Sequence, residues 1–125
     1  MDYEGGYALE RGSEAVVKAD GGQALGRARH PLNTADFSSF LLQAQASRAQ
    51  VVALANAGTD TINAIKQAGE FGLTRQGQRL VGIFVNINDI KALGLPTAQG
   101  VVAMEAWYWD RDDETRVFGL SLIHI

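Results

Sequence analysis

The stretch Val51-Val52-Ala53-Leu54-Ala55-Asn56-Ala57-Gly58-Thr59-Asp60-Thr61-Ile62-Asn63-Ala64-Ile65 decides the fold class. Its first five residues form an uninterrupted apolar run, of the kind required by a parallel strand buried on both faces. Asn56, Ala57 and Gly58 read as a loop. Thr59 or Asp60 can cap a helix in which Ile62, Ile65 and Ala68 face inward, and Gly72 stands where a left-handed residue ends it. Strand, short loop and helix in this order make the first half of a βαβ unit.

The same alternation extends in both directions. Upstream, Phe37, Phe40, Leu41 and Ala44 lie on one helical stripe, with Asn33, Thr34 and Asp36 as candidate caps. Gln23 to His30 reads as a short strand closed by Pro31, since the residue before a proline favours extended geometry. Tyr7 to Asp20 reads as a helix ended by Gly21-Gly22. Downstream, Leu80 to Ile87 is the next strand, and Asn88-Asp89 can start a short helical turn through Leu93, broken by Gly94, Pro96 and Gly100. Val101 to Trp109 is a last strand. The connections are too long for hairpins, so the expected fold is α/β, an open parallel sheet with helices on both faces. One feature is out of place: the alternation begins on a helix, whereas a doubly wound domain opens on a centrally placed strand.

The chain has 125 residues, enough for one ordinary domain and too few for two lobes with a cleft between them. Its 46% hydrophobic and 20% charged residues are globular values, against disorder and fibrous repeats. Eleven Lys and Arg against fourteen Asp and Glu leave a formal charge of -3, the wrong sign for a dedicated nucleic-acid binder. The absence of cysteine excludes disulfides, thiolate metal sites and cysteine nucleophiles. No apolar run approaches the roughly 20 residues that span a bilayer. The start, Met1 to Gly6, has the form of no export signal.

Catalytic signatures are equally lacking. The chain contains no G-x-G-x-x-G after a strand, no P-loop, no G-x-S-x-G and no H-E-x-x-H. His30, before a proline at a strand end, reads as a surface or hydrogen-bonded residue rather than a base. The acidic run Asp110, Asp112, Asp113 and Glu114 lacks the ligand spacing of a calcium loop and reads as a solvated loop or helix cap. Trp107 and Trp109 share one face of a strand, which suits packing against a helix. The polar residues that follow the two apolar strands are more informative: Asn56 to Thr59 after the first, and Asn86, Asn88 and Asp89 after the second. Small molecules bind beyond the carboxyl ends of parallel strands, where loops and free helix N–H groups converge. Such a site would suit a carboxylate or amide, with an ammonium partner at Asp89. Caps and turns account for each of these residues taken alone.

Two long runs, His30-Pro31-Leu32-Asn33-Thr34-Ala35-Asp36-Phe37-Ser38-Ser39-Phe40-Leu41-Leu42-Gln43-Ala44 and Leu54 through Ala68, together with Thr97-Ala98-Gln99-Gly100 and Glu105 to Asp110, closely resemble one family. It is that of the periplasmic substrate-binding proteins of branched-chain amino acid ABC transporters. There, two α/β lobes joined by hinge strands close over an amino acid or similar small molecule and dock on a membrane permease. The resemblance implies that residues 1–118 form most of the second, Rossmann-like lobe of a type 1 periplasmic binding fold. Asp2, Tyr3 and Gly6 match a family motif that directly follows the lobe's first strand, which implies that this strand is missing upstream of Met1. Residues 119–125 depart from the family and are expected to be a tail foreign to the fold, His124 with them.

By this resemblance Tyr3 lines the cleft, Asn56 and Ala57 supply the loop after the second buried strand, and Asp89 sits near the ligand ammonium. Asn86 stands where an apolar or aromatic residue is expected. The implied partners are a small amino acid or amide as ligand, the ABC permease and the missing first lobe. No cofactor, nucleic acid or catalysis is implied, and the intact parent would be periplasmic. The alternative is a cytoplasmic sensor that uses the same lobe to regulate transcription or an enzyme complex.

Overall fold

The computed structural model describes residues 4–105 and 107–123. Two helices, α1 (Glu4–Ala19) and α2 (Ser38–Ala46), precede strand β1 (Val51–Leu54). Helix α3 (Gly58–Glu70) and a 3₁₀ turn (Thr74–Gln76) lead to β2 (Arg79–Gly82). The short helices α4 (Ile87–Leu93) and α5 (Leu95–Ala98) lead to β3 (Val102–Ala103), and α6 (Asp113–Ile123) follows. All three strands are parallel, in the order β1-β2-β3. Every crossover carries helix, so the expected open parallel α/β sheet is what forms.

Register explains the core. Val52 pairs with Leu80 and Leu54 with Gly82, which puts these four on one face. Leu54 and Leu80 share a buried cluster with Phe37 and Leu41, with Ala64, Ile65 and Ala68 of α3, and with Leu73, Leu93 and Ala98. The alternate positions fare differently: Val51 is 50% exposed and Val102 49%. The run Val51 to Ala55, expected to be buried on both faces, is thus buried on one, because among the described residues no packed layer covers the other.

One predicted strand does not form, and two others are shorter than expected. Gln23 to Arg29 makes no ladder and is exposed throughout. Among the described residues β1 pairs with β2 alone, and an extended segment without a neighbour gains no ladder hydrogen bonds. This segment is held instead to α1, where Arg27 and Arg29 pair with Glu10 at 2.9 and 3.0 Å. The second strand stops at Gly82 rather than Ile87, because the chain folds back tightly enough to bury Val85. A β-carbon at Gly82 would lie 2.1 Å from Val85 Cγ2, so only glycine allows this return. The last strand keeps two residues of the nine expected. Trp107 and Trp109 lie beyond it, and Trp107 meets Phe118 of α6 edge-on at 5.7 Å, so the expected packing on a helix is reached from a loop.

Candidate functional site

Because β1 and β2 are adjacent and parallel, the loops after them open on the same edge of the sheet. Asn56 lies two residues past β1 and is 3% exposed. Its Oδ1 accepts a 2.9 Å hydrogen bond from Thr61 Oγ1, a buried hydroxyl one turn into α3. Each group satisfies the other, as burial demands. The Asn56 Nδ2 donor has no hydrogen-bond partner among the described residues.

Ala57 is the N-cap of α3, extended at φ -141 and ψ 162, and offers no side-chain acceptor to the first turn. Gly58 takes φ +59 to swing the chain from strand into helix, a conformation that a side chain would strain. The first-turn N–H groups of α3 therefore keep their donor capacity and lie beside the Asn56 amide, an arrangement suited to a carbonyl or carboxylate oxygen. Thr59 and Asp60, expected as caps, do not cap: the helix begins before both of them.

Asp60 is used otherwise, in a way the sequence reading missed. It is 5% exposed, and its Oδ2 accepts the Asn33 N–H at 3.1 Å. Further along the helix, Asn63 Nδ2 donates to Thr34 O at 3.5 Å. Gln67 Nε2 donates to Ala35 O at 2.8 Å, while its Oε1 accepts the Phe37 N–H at 2.7 Å. Asp60, Asn63 and Gln67 stand at i, i+3 and i+7, one stripe of the helix, and they bind the main chain of residues 33–37 along it. That spacing was available in the sequence as a polar stripe next to the apolar one. Asp36 closes this loop: the Ser38 hydroxyl and N–H bond its carboxylate and hold it below the ordinary aspartate range.

Asp89 stands in the first turn of α4, which packs against α3. The cap of α4 is Asn86 rather than the expected Asn88 or Asp89. Asn86 Oδ1 accepts from the N–H groups of Asn88 and Asp89 at 2.9 and 3.1 Å, and Asp89 Oδ2 accepts from the Asn86 N–H at 3.1 Å. This reciprocal box accounts for Asn86, whose polarity is at odds with the expected apolar residue, and it fixes one carboxylate oxygen of Asp89. The structure thus puts Asn56 and Ala57 on the loop after β1 and Asp89 in the first turn of α4, after β2. Tyr3 lies outside the described residues.

Two open grooves mark the surface elsewhere. One lies between residues 35–38 and α3, the other is lined by Ile90, Leu95, Pro96 and Val101, and neither includes Asn56, Ala57 or Asp89. The acidic run serves as a helix cap, as expected: the Thr115 N–H donates to Asp112 Oδ1 at 2.9 Å, and Arg116 pairs with Asp110 and Asp113. Among the described residues no group of three or more His, Asp or Glu could hold a metal ion.

Comparison with known proteins follows the same geometry. A periplasmic binding protein from Burkholderia mallei superposes with a TM-score of 0.85 at 53% identity, over 98% of this chain and 32% of that one. A branched chain amino acid ABC transporter periplasmic ligand-binding protein from Burkholderia xenovorans LB400 superposes with a TM-score of 0.85 at 38% identity, over 98% of this chain and 33% of that one. For an amino acid ABC transporter substrate-binding protein from Pseudomonas fluorescens Pf-5 the TM-score is 0.85 and the identity 27%, over 93% of this chain and 31% of that one. The chain therefore spans about a third of the length of each solved relative. No curated protein matches it. The family model for periplasmic binding protein matches residues 1–119, and with that span covered and the sheet of its relatives reproduced, the chain belongs to the periplasmic binding protein family.

Proposed function

We propose that this chain supplies a ligand-binding lobe of an ABC transporter substrate-binding protein that captures a branched-chain amino acid, or a similar small amino acid or amide, for import. The observation that carries this reading is the arrangement at the sheet edge: the Asn56 Nδ2 donor, without a partner among the described residues, beside the open first turn of α3, with the Asp89 carboxylate in the first turn of α4. Donors after one strand and an anion after the next complement a molecule that has both an acyl oxygen and an ammonium. Tyr3 would line the same cleft. The partners in this reading are a second lobe, which completes the cleft, and a membrane permease, and the site of action is the periplasm. Two of the solved relatives carry transporter descriptions, which favours transport over a regulatory sensor.

Binding would work through hinge closure. The ligand shifts the open–closed equilibrium by its greater affinity for the closed form, in which both lobes touch it, and no bond is made or broken. Residues 4–118 grafted in place of the aligned third of the Burkholderia xenovorans relative give a two-lobed protein for calorimetry. L-leucine or L-leucinamide is expected to bind with a dissociation constant on the micromolar scale, about -8 kcal/mol. Asp89→Asn, which keeps an acceptor for the Asn86 N–H and removes the charge, is expected to weaken binding about tenfold or more. A folded graft that gives no heat with amino acids, amides or aromatic acids overturns the reading.

A further inference from the structure

The binding reading leaves one pair of buried titratable groups without a role. His30 is 6% exposed and Asp60 5%, and their Nδ1 and Oδ2 atoms lie 4.0 Å apart. His30 Nδ1 also lies 2.9 Å from Pro31 O, so in the neutral ring this nitrogen carries the proton and donates it to that carbonyl. Two aromatic rings enclose the imidazole edge-on, Phe37 at 4.8 Å and Phe40 at 5.9 Å. These belong to the start of α2 and bring no charge, so Asp60 of α3 is the one carboxylate placed against the ring among the described contacts. The neighbouring Arg29 is turned away to Glu10 of α1.

Asp60 has two attachments that make its charge consequential. Its Oδ2 holds the N–H of Asn33, a non-glycine residue at φ +59, so the carboxylate maintains a turn the backbone does not favour on its own. It also sits in the first turn of α3, where a negative charge is stabilised by the helix N-terminus, three residues after the N-cap Ala57. Protonating the imidazole, at Nε2, puts a positive charge on a ring whose Nδ1 lies 4.0 Å from the oxygen that holds the Asn33 N–H. The charge on the ring therefore bears on the turn through that one carboxylate.

We propose that His30 and Asp60 form a charge-sensitive clasp, which positions the loop 30–37 against the start of α3 and makes the geometry of that first turn, with the strand-end residues Asn56 and Ala57, depend on pH. The clasp itself stands independently of the ligand; its effect on affinity rests on the binding reading above.

An NMR titration of the 125-residue chain from pH 5 to 8 tests it, following the His30 ring and the amides of Asn33, Thr59 and Asp60. The amide shifts are expected to move together with the His30 ring, to fall to less than half their amplitude in Asp60→Asn, and to flatten in His30→Gln. Asp60→Asn retains an acceptor for the Asn33 N–H, so the fold need not be lost with the charge. Where association broadens the lines, hydrogen exchange read by mass spectrometry on peptides covering 31–37 makes the same comparison after correction for intrinsic rates. Amides that stay flat in the wild-type chain, or that titrate unchanged in His30→Gln, overturn the clasp. A clasp that titrates in a chain whose two-lobed graft binds nothing overturns the ligand reading alone.

Discussion

Residues 30–101 and the segments that flank them, 4–29 and 102–123, carry the same kinds of sequence signal and end in different states. The middle has an apolar strand, an amphipathic α3 and a tightly capped α4, and it holds every residue of the buried cluster. The flanks have an equally regular helix α1, an alternating segment at residues 23–29 and a row of aromatic residues. Yet Val16, Leu25, Trp109 and Phe118 are 63, 55, 49 and 54% exposed. The difference lies in partners: an apolar stripe stabilises only when another surface takes it out of water. In the middle, α2, α3, α4 and α5 supply that surface to one another and to β1 and β2. In the flanks, surface ion pairs do most of the holding, and each is worth little.

The largest expected effect sets one region directly against the other. Ile65 is 2% exposed in the centre of the cluster, so Ile65→Ala should cost about 2–5 kcal/mol of unfolding free energy in a urea titration. Leu25→Ala, which removes a comparable side chain from the unpaired segment, should stay within about 0.5 kcal/mol. Equal losses at the two positions would mean that the flank is packed as tightly as the middle.

A smaller effect compares two helix caps. Asn86 completes a two-way box with Asp89, and replacing it with alanine should cost about 1 kcal/mol. The same change keeps the backbone N–H that Asp89 Oδ2 accepts, so it removes the cap without removing the bond that fixes the carboxylate, and ligand affinity of the two-lobed graft should fall less than stability. Asp112→Ala at the start of α6 should cost less, because the helix it caps contributes no residue to the buried cluster. Circular dichroism of both variants decides the order. A greater loss at Asp112 would show that α6 is tied to the core by more than its contact with Trp107.

The two regions also differ in how readable they were. The order strand, loop, α3, strand, short helix follows from apolar period and breakers, because those signals are local and the partners lie within the same stretch. Residues 23–29 have a strand's alternation, but a ladder needs a neighbour that no local pattern supplies. β2 reads too long because Val85 is as apolar as Val81, and only the close return at Gly82 separates them. In the candidate site, Asn56 and Asp89 were visible as polar residues at strand ends, and the resemblance added their roles. Asp60 reads as a cap in the sequence because an acidic residue near a helix start usually is one. Its bond to Asn33 crosses 27 positions and appears only once α3 lies along the loop.

Acid should separate the regions most gently. Among the described residues four carboxyl groups are held below their ordinary range: Glu10 by Arg29 first, Glu14 by Lys18 first, Asp36 by the Ser38 hydroxyl first, and Asp112 by the backbone N–H of Thr115 first. Three of these lie in the flanks and one, Asp36, in the middle. A carboxyl group with a depressed folded-state value binds fewer protons folded than unfolded, so stability rises with pH through that window. Its contribution is present above the unfolded value, about 4 for aspartate and glutamate, and is lost as pH falls through the folded one. Lowering the pH from about 5 towards about 2 should therefore loosen α1 and the start of α6 before α3. Added salt should weaken the Glu10 and Glu14 contributions, which rest on Arg and Lys, more than that of Asp112, which rests first on a backbone hydrogen bond. Amide exchange followed by NMR across this range, with Asp112→Asn as the comparison, measures it. Protection lost first in α3 would reverse the ranking of the two regions.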